Sequence, residues 1–459
     1  MKEISIARSL WTLAVPIICI NLLQIAYQLT DAFWVGRIGA SAVASVSVSF
    51  PITFLLISVV SGFSIAGSVF VAQYVGAHKY KKVNRVVAQT FILVTVASIL
   101  FGVAGFVFSP SLLRLMNVAP DVSENALSFL RILFLGLPFM FGFTVFQSVM
   151  RSVGQVMVPM KIILGTTALN FILDPIFIFG WGNIPAFGVS GAALATFGTQ
   201  ALAILIGLVL LFRGKHVIQV RFGDFVPSPC CLKALFVLGL PASLEQSVRS
   251  LGILVMMFLI TSFGTITTAV YGVGSNILQI VVIPALGLSM ATSVLAGNNI
   301  GAGNIARAHD TAVFGASVSF IFLTTVGIFS FVFAPHLVRF FVPNDAEVIR
   351  QGADFVRIIA FSFGFLGVQM SLSGVFRASG NMIIPLLFSI VSLWVLQFPI
   401  AYILSKHTTL EALGIWWAFP VSYVLTAILA IVWFIKGDWK NKRLIEEKEV
   451  TDVLVEMIR

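Results

Sequence analysis

The stretch FLRILFLGLPFMFGFTVFQSVMRSVGQVMVP (residues 129–159) returns about 225 positions later as FVRIIAFSFGFLGVQMSLSGVFRASGNMIIP (residues 355–385). Arg131 falls on Arg357, Arg151 on Arg377, Gly154 on Gly380 and Pro159 on Pro385. The match extends in both directions. GFSIAGSVFVAQYVGAHK (62–79) lies against GLSMATSVLAGNNIGAGN (287–304), with Gly62 over Gly287 and Gly76 over Gly301. Further upstream, Leu10, Pro16 and Gly39 fall on Leu235, Pro241 and Gly264. Self-similarity at one fixed offset means that a single architecture has been laid down twice.

Composition says what that architecture is made of. Hydrophobic residues make up 59% of the 459 positions and charged residues only 10%, where a soluble chain carries about a quarter charged. Twelve segments reach the roughly 20 apolar residues that a membrane-spanning helix needs, centred roughly on residues 22, 60, 97, 138, 169, 201, 248, 283, 320, 361, 394 and 424. They are long and continuous, unlike the alternating strands of about 10 residues in an outer-membrane barrel. The predicted fold is an all-α integral membrane protein of two six-helix lobes around a central cavity. An even number of spans returns the chain to the same side, so the copies are parallel repeats. The expected division is 1–213 for the first lobe, 214–232 for a cytoplasmic linker, 233–436 for the second lobe and 437–459 for a cytoplasmic tail.

The formal net charge of +10 is explained by orientation. With both termini cytoplasmic, the inner side holds HKYKKVNR (78–85), Arg151, Lys161, the basic residues from Arg213 to Lys233, Arg307, Arg377 and the tail. The outer side keeps Arg37, Arg114, Arg339, Arg350 and Lys406. This is the positive-inside pattern of a multi-pass protein in a cytoplasmic (inner) membrane, and it implies no nucleic-acid partner. The N-terminus runs straight into a polar-bearing first span, without the features of a removable signal peptide. Cys19 is intramembrane and Cys230 and Cys231 lie in the cytoplasmic linker, so neither a disulfide nor a metal framework is expected.

The repeat sorts the polar residues inside the spans. Arg151 with Arg377, and Arg131 with Arg357, occur in both copies and read as parts of the fold. Asp31, Asn170 and Asp174 occur in one: position 31 maps onto Met256, and the Asp174 region onto QFPIAY at 397–402. A charge at bilayer depth costs at least about 2.5 kcal/mol, so these acids need a task. In the first span Asn21, Gln24, Gln28 and Asp31 recur at helical spacing, with Tyr27 one turn before Asp31. In the fifth, Asn170 and Asp174 are one turn apart. Two carboxylates in a poorly hydrated cavity disfavour double ionisation, which makes the pair a proton acceptor. The same oxygen-rich set also suits a hard monovalent cation such as Na⁺. The residues alone leave that choice open.

The twelve spans in two parallel lobes, Pro16 and Asp31 in the first span, NFILDP (170–175) in the fifth and GVSGAALAT (188–196) at the start of the sixth together resemble the multidrug and toxic compound extrusion (MATE) family. The likeness covers nearly the whole chain. It implies a secondary active exporter that exchanges cationic or amphiphilic organic compounds for H⁺ or Na⁺ by alternating access, needs no other cofactor, and works as a monomer among membrane lipids. By resemblance Asp31, Asn170, Asp174, Tyr27 and Thr196 form the ion-coupling set, with Na⁺, if used, held by Asp31, Asn170, Asp174 and Thr196. Gln24, Gln28, Gln147 and Glu245 would face substrate. Pro16 matches the family's hinge proline, and proline does loosen a helix by removing a backbone hydrogen bond.

One departure is informative. FSFGFLGVQMSLSGVF (361–376) lacks the tenth-span acid of one bacterial branch, and Glu245 is followed by Arg249 at ion-pair spacing. Coupling through the N-terminal lobe is therefore expected, closer to the DNA-damage-inducible branch. The alternative is a flippase for lipid-linked precursors, disfavoured because the interior charges read as mainly acidic. An enzyme is not expected: HExxH, GxSxG and Walker A sequences are absent.

Overall fold

The computed structural model describes all residues except 1–4, 117, 119, 215, 216 and 445–459. Among them the chain is helical almost throughout. In the first repeat α1 is Ile6–Gly36, α2 Ala40–Gly76, α3 Tyr80–Leu115, α4 Pro120–Ser152, α5 Met157–Phe179 and α6 Val189–Arg213. In the second, α7 is Pro229–Thr261, α8 Thr265–Gly301, α9 Ile305–Val332, α10 Ala334–Phe341, α11 Ala346–Ala360, α12 Phe363–Ala378, α13 Ile383–Ile390, α14 Phe398–Lys406 and α15 Ala412–Lys436. Eleven helices are long and apolar enough to cross a membrane, with α13 to α14 forming one span through a π-helical stretch, Val391–Gln397. Counting the pair α11 and α12, bent by 49°, as one span brings the number among the described residues to twelve, the number the sequence leads one to expect.

The repeat is visible in the packing as well as in the letters. On α3, a β-carbon added to Gly102 would lie 2.8 Å from the Phe134 carbonyl oxygen, and one added to Gly327 on α9 would lie 2.5 Å from that of Ala360. Both pairs let neighbouring helices approach closely through a small residue. A second pair is conserved in volume but exchanged in identity. In the first copy Gly67 of α2 faces Thr90 of α3; in the second, Thr292 of α8 faces Gly315 of α9. Close packing fixes the summed volume at the contact and leaves open which helix carries it.

The chain resolves into two compact units. Within the described residues one combines residues 5–18 with 244–444, and the other is Cys19–Ser243. The change falls inside α1 and α7, two residues beyond Pro16 and Pro241 respectively. A close approach lies beside each change. Gly287 of α8 admits Ile18 of α1, and Gly62 of α2 admits Ser243 of α7, whose hydroxyl donates to the Val59 carbonyl. Each unit thus borrows the first half of a helix from the other half of the sequence.

The linker is docked within the second unit. Gln89 of α3, fully buried, donates through Nε2 to the carbonyls of Asp224 and Val226 and accepts the Ser228 amide at Oε1. The last linker residues, with Cys230 and Cys231, form the first turn of α7. The expected cytoplasmic tail lies outside the described residues beyond Leu444.

Candidate functional site

Within Cys19–Ser243, three helices bring the unpaired acids together. Asn170 and Asp174 are both fully buried on α5, and Asn170 Nδ2 donates to Asp174 Oδ1 at 3.1 Å. The AALA run that opens α6 supplies the room. Gly191 sits against the Phe177 carbonyl, and Ala192, Ala193 and Ala195 are buried, so α6 lies close along α5. One and two turns further on, α6 presents hydroxyls to α1. Thr196 Oγ1 donates to Asp31 Oδ2 at 3.2 Å, and Tyr27 Oη lies 2.5 Å from Thr199 Oγ1. The single proton of Thr199 already goes to the Ala195 carbonyl at 2.8 Å, so Tyr27 is the donor in that pair.

The arrangement leaves a deficit of donors. Asp31 Oδ1, Asp174 Oδ2 and Asn170 Oδ1 are buried without a hydrogen-bond partner. Ionised carboxylates only accept, and unmatched buried acceptors cost about 1–3 kcal/mol each, more when charged. A shared proton or a bound cation removes the conflict. Among the described residues no three His, Cys, Asp or Glu side chains cluster as a metal site. A cation here would be held by carboxylate, amide and hydroxyl oxygens, the donor set of a hard monovalent ion.

One helical turn beyond each acid the polarity stops. Val35 follows Asp31 and Ile178 follows Asp174, and both join Ala42, Val189 and Ala192 in a buried apolar cluster. Trp34 closes over it, with ring contacts to Phe171 and Phe179.

The other expected site residues lie elsewhere. Gln24 and Gln28 are exposed on α1, Gln147 is buried on α4, and Pro16 is buried in α1. None of the hydrogen bonds described above joins the three glutamines to the acids. Thr199 was missed, although it follows Thr196 by three residues on the same helix face. Glu245, expected to face substrate, is buried in the other unit between two arginines. Its Oε1 accepts from Arg249 Nη2 at 3.3 Å and from Arg377 Nη1 at 3.0 Å, and its Oε2 from the same Arg377 nitrogen at 3.2 Å. In this cluster two arginines outweigh one glutamate.

Comparison with known proteins places the chain in a family. The MatE family model matches residues 16–176 and again 241–403. The two matches begin at Pro16 and Pro241, as the repeat requires. The chain is 30% identical over 446 residues to the probable multidrug resistance protein YoeA of Bacillus subtilis, covering 96% of each chain. It is 26% identical to the probable multidrug resistance protein NorM of Thermotoga maritima, over 98% of this chain and 96% of that one. A crystal structure of MATE in the bent conformation superposes with a TM-score of 0.88 at 25% identity, over 94% of this chain and 95% of that one. The chain belongs to the MATE family of membrane transporters.

Proposed function

We propose that the protein is a secondary exporter in which the Asp31–Asn170–Asp174–Thr196 constellation, with Tyr27, binds the coupling ion and exchanges it for an organic compound by alternating access. The observation that carries this reading is the set of buried oxygens on Asp31, Asn170 and Asp174 that lack a donor. Either H⁺ or Na⁺ meets the requirement, because each supplies positive charge between two acceptors. The membrane is the cytoplasmic one, with both termini inside, and the protein works as a monomer. Cationic and amphiphilic compounds are the substrate class that the family membership favours.

Ion binding acts on the rest of α1 through the contacts of Asp31. With the ion bound, Asp31 is drawn toward Asp174, and Thr196 and Tyr27 hold α1 against α6. With it gone, carboxylate repulsion favours separating α1 from α5. Pro16, about 22 Å earlier along a helix that rises 1.5 Å per residue, is the point where α1 yields most easily. The ion thereby biases a bend, and the bend selects which way the protein opens. Reconstitution into proteoliposomes tests the reading. Imposed pH and Na⁺ gradients should each be tried, following export of a fluorescent organic cation. Export driven by one or both supports it; export driven by neither, in active vesicles, removes it.

A further inference from the structure

The cluster around Glu245 holds more positive charge than a structural ion pair needs. Glu245 has a side chain only 3% exposed, and a single arginine would neutralise it. Two are present, on α7 and α12, inside the unit formed by residues 5–18 and 244–444. One positive charge is left over among membrane helices.

The two arginines are held differently. Arg377 places Nη1 between both oxygens of Glu245. Arg249 is looser: Nη2 reaches Glu245 at 3.3 Å, Nε donates to Ser389 Oγ at 3.2 Å, and its side chain remains 32% exposed against 18% for Arg377. A guanidinium carries five donors in one plane, suited to a second oxyanion beside the first. Further polar groups lie on the segment that carries Ser389. It runs into the π-helical stretch Val391–Gln397, whose Leu393 packs on Gly252 and whose Trp394 donates to the Val248 carbonyl. Its last residue, Gln397, is buried with Oε1 lacking a donor, and such π-turns recur at functional sites.

The repeat gives an independent argument. The positions matching Glu245 and Arg249 on α1 are Ile20 and Gln24, and the twin of Arg377, Arg151, donates to Ser148. The ionic cluster is thus an addition to one copy of the fold.

We propose that this cluster is a subsite for an anionic oxygen group, a carboxylate or phosphate, on the transported solute, with Arg249 making the contact and Arg377 and Glu245 holding the charge in place. The proposal extends the exporter reading and rests on it for the word "transported". It admits zwitterionic and anionic amphiphiles alongside cations.

The test is equilibrium binding to the purified full-length protein in a nonionic detergent, without any gradient. Two dyes that differ only at one carboxyl group are compared by fluorescence anisotropy: rhodamine B, a zwitterion with a free carboxylate, and its ethyl ester. The wild type should bind the free acid about tenfold more tightly, a difference of about 1.4 kcal/mol. Arg249→Gln should bring the two within about twofold, and Arg249→Lys should restore part of the preference. Excess benzoate should displace the acid from the wild type and leave the ester bound, a readout that needs no variant. Equal binding of the two dyes by the wild type overturns the proposal, as does a preference that survives in folded Arg249→Gln. Selective displacement of the acid by phosphatidylglycerol but not by benzoate overturns it as well, because the site would then hold a lipid headgroup. Failure of both dyes to move across proteoliposome membranes under any gradient would count against the exporter reading while leaving the binding result intact.

Discussion

Replacing Glu245 with glutamine should damage the protein more than replacing either arginine that binds it. In the wild type one buried carboxylate lies 3.0 Å from Arg377 Nη1 and 3.3 Å from Arg249 Nη2. Glu245→Gln removes the only negative charge and leaves two guanidinium groups side by side. Stripping a buried ion pair of one partner costs about 3–5 kcal/mol, and here both arginines lose theirs, so the loss should fall in that range despite their partial exposure. Arg377→Gln leaves Glu245 paired with Arg249, and the cost should be about 1–3 kcal/mol, that of hydrogen bonds lost to a charged group. The double variant Glu245→Gln/Arg377→Gln should recover part of the Glu245→Gln loss, because one unpaired cation has gone; contacting residues are not additive. The assay is the midpoint of thermal inactivation in detergent at a fixed heating rate, since unfolding of such a protein is treated kinetically. Residual transport by Glu245→Gln should keep the ion dependence of the wild type. Glu245→Gln as stable as wild type, or less harmful than Arg377→Gln, would refute this account of the cluster.

Three further outcomes follow from the packing. Gly191→Val should force α5 and α6 apart, because the new β-carbon meets the Phe177 carbonyl and lies 2.7 Å from the Ile178 amide nitrogen; a loss of about 1–3 kcal/mol and of ion-driven export is expected in thermal and transport assays. Gly67→Thr should destabilise by about 1–3 kcal/mol, and adding Thr90→Gly should recover most of it, since the pair then reproduces Thr292 and Gly315 of the other copy; inactivation midpoints of the single and double variants decide this. Tyr27→Phe removes the donor to Thr199 and should cost about 0.5–1.5 kcal/mol, and Tyr27→Phe/Thr199→Val should cost little more in a double-mutant cycle.

The spans and the duplication are legible in the sequence because both are written in many residues at once: hydropathy over about 20 positions, and identities repeated at one offset. The pairing of Asn170 with Asp174 is legible for a simpler reason, since residues four apart on a helix share a face. What escapes the sequence depends on contacts between distant segments. Arg377 reaches Glu245 across the chain, a contact that its occurrence in both copies does not signal. Thr199 is a hydroxyl among many, marked only by its spacing from Thr196. The break between α11 and α12 lies at Phe361 and Ser362, where no proline announces it. The close approaches beside the changes of unit in α1 and α7, Gly62 with Ser243 and Gly287 with Ile18, are likewise visible only in the packing.

The central claim is that the acids of α1 and α5 carry the ion. Ion-driven uptake of a fluorescent organic cation into inside-out proteoliposomes, compared for wild type, Asp31→Asn and Asp174→Asn at matched protein content, tests it most directly. Asparagine keeps the shape and hydrogen bonds of each site but removes the charge that holds H⁺ or Na⁺. The account predicts that both variants still bind the compound, and that Asp31→Asn loses response to the gradient, with Asp174→Asn close behind. Gradient-driven transport at wild-type rates by Asp31→Asn would contradict it.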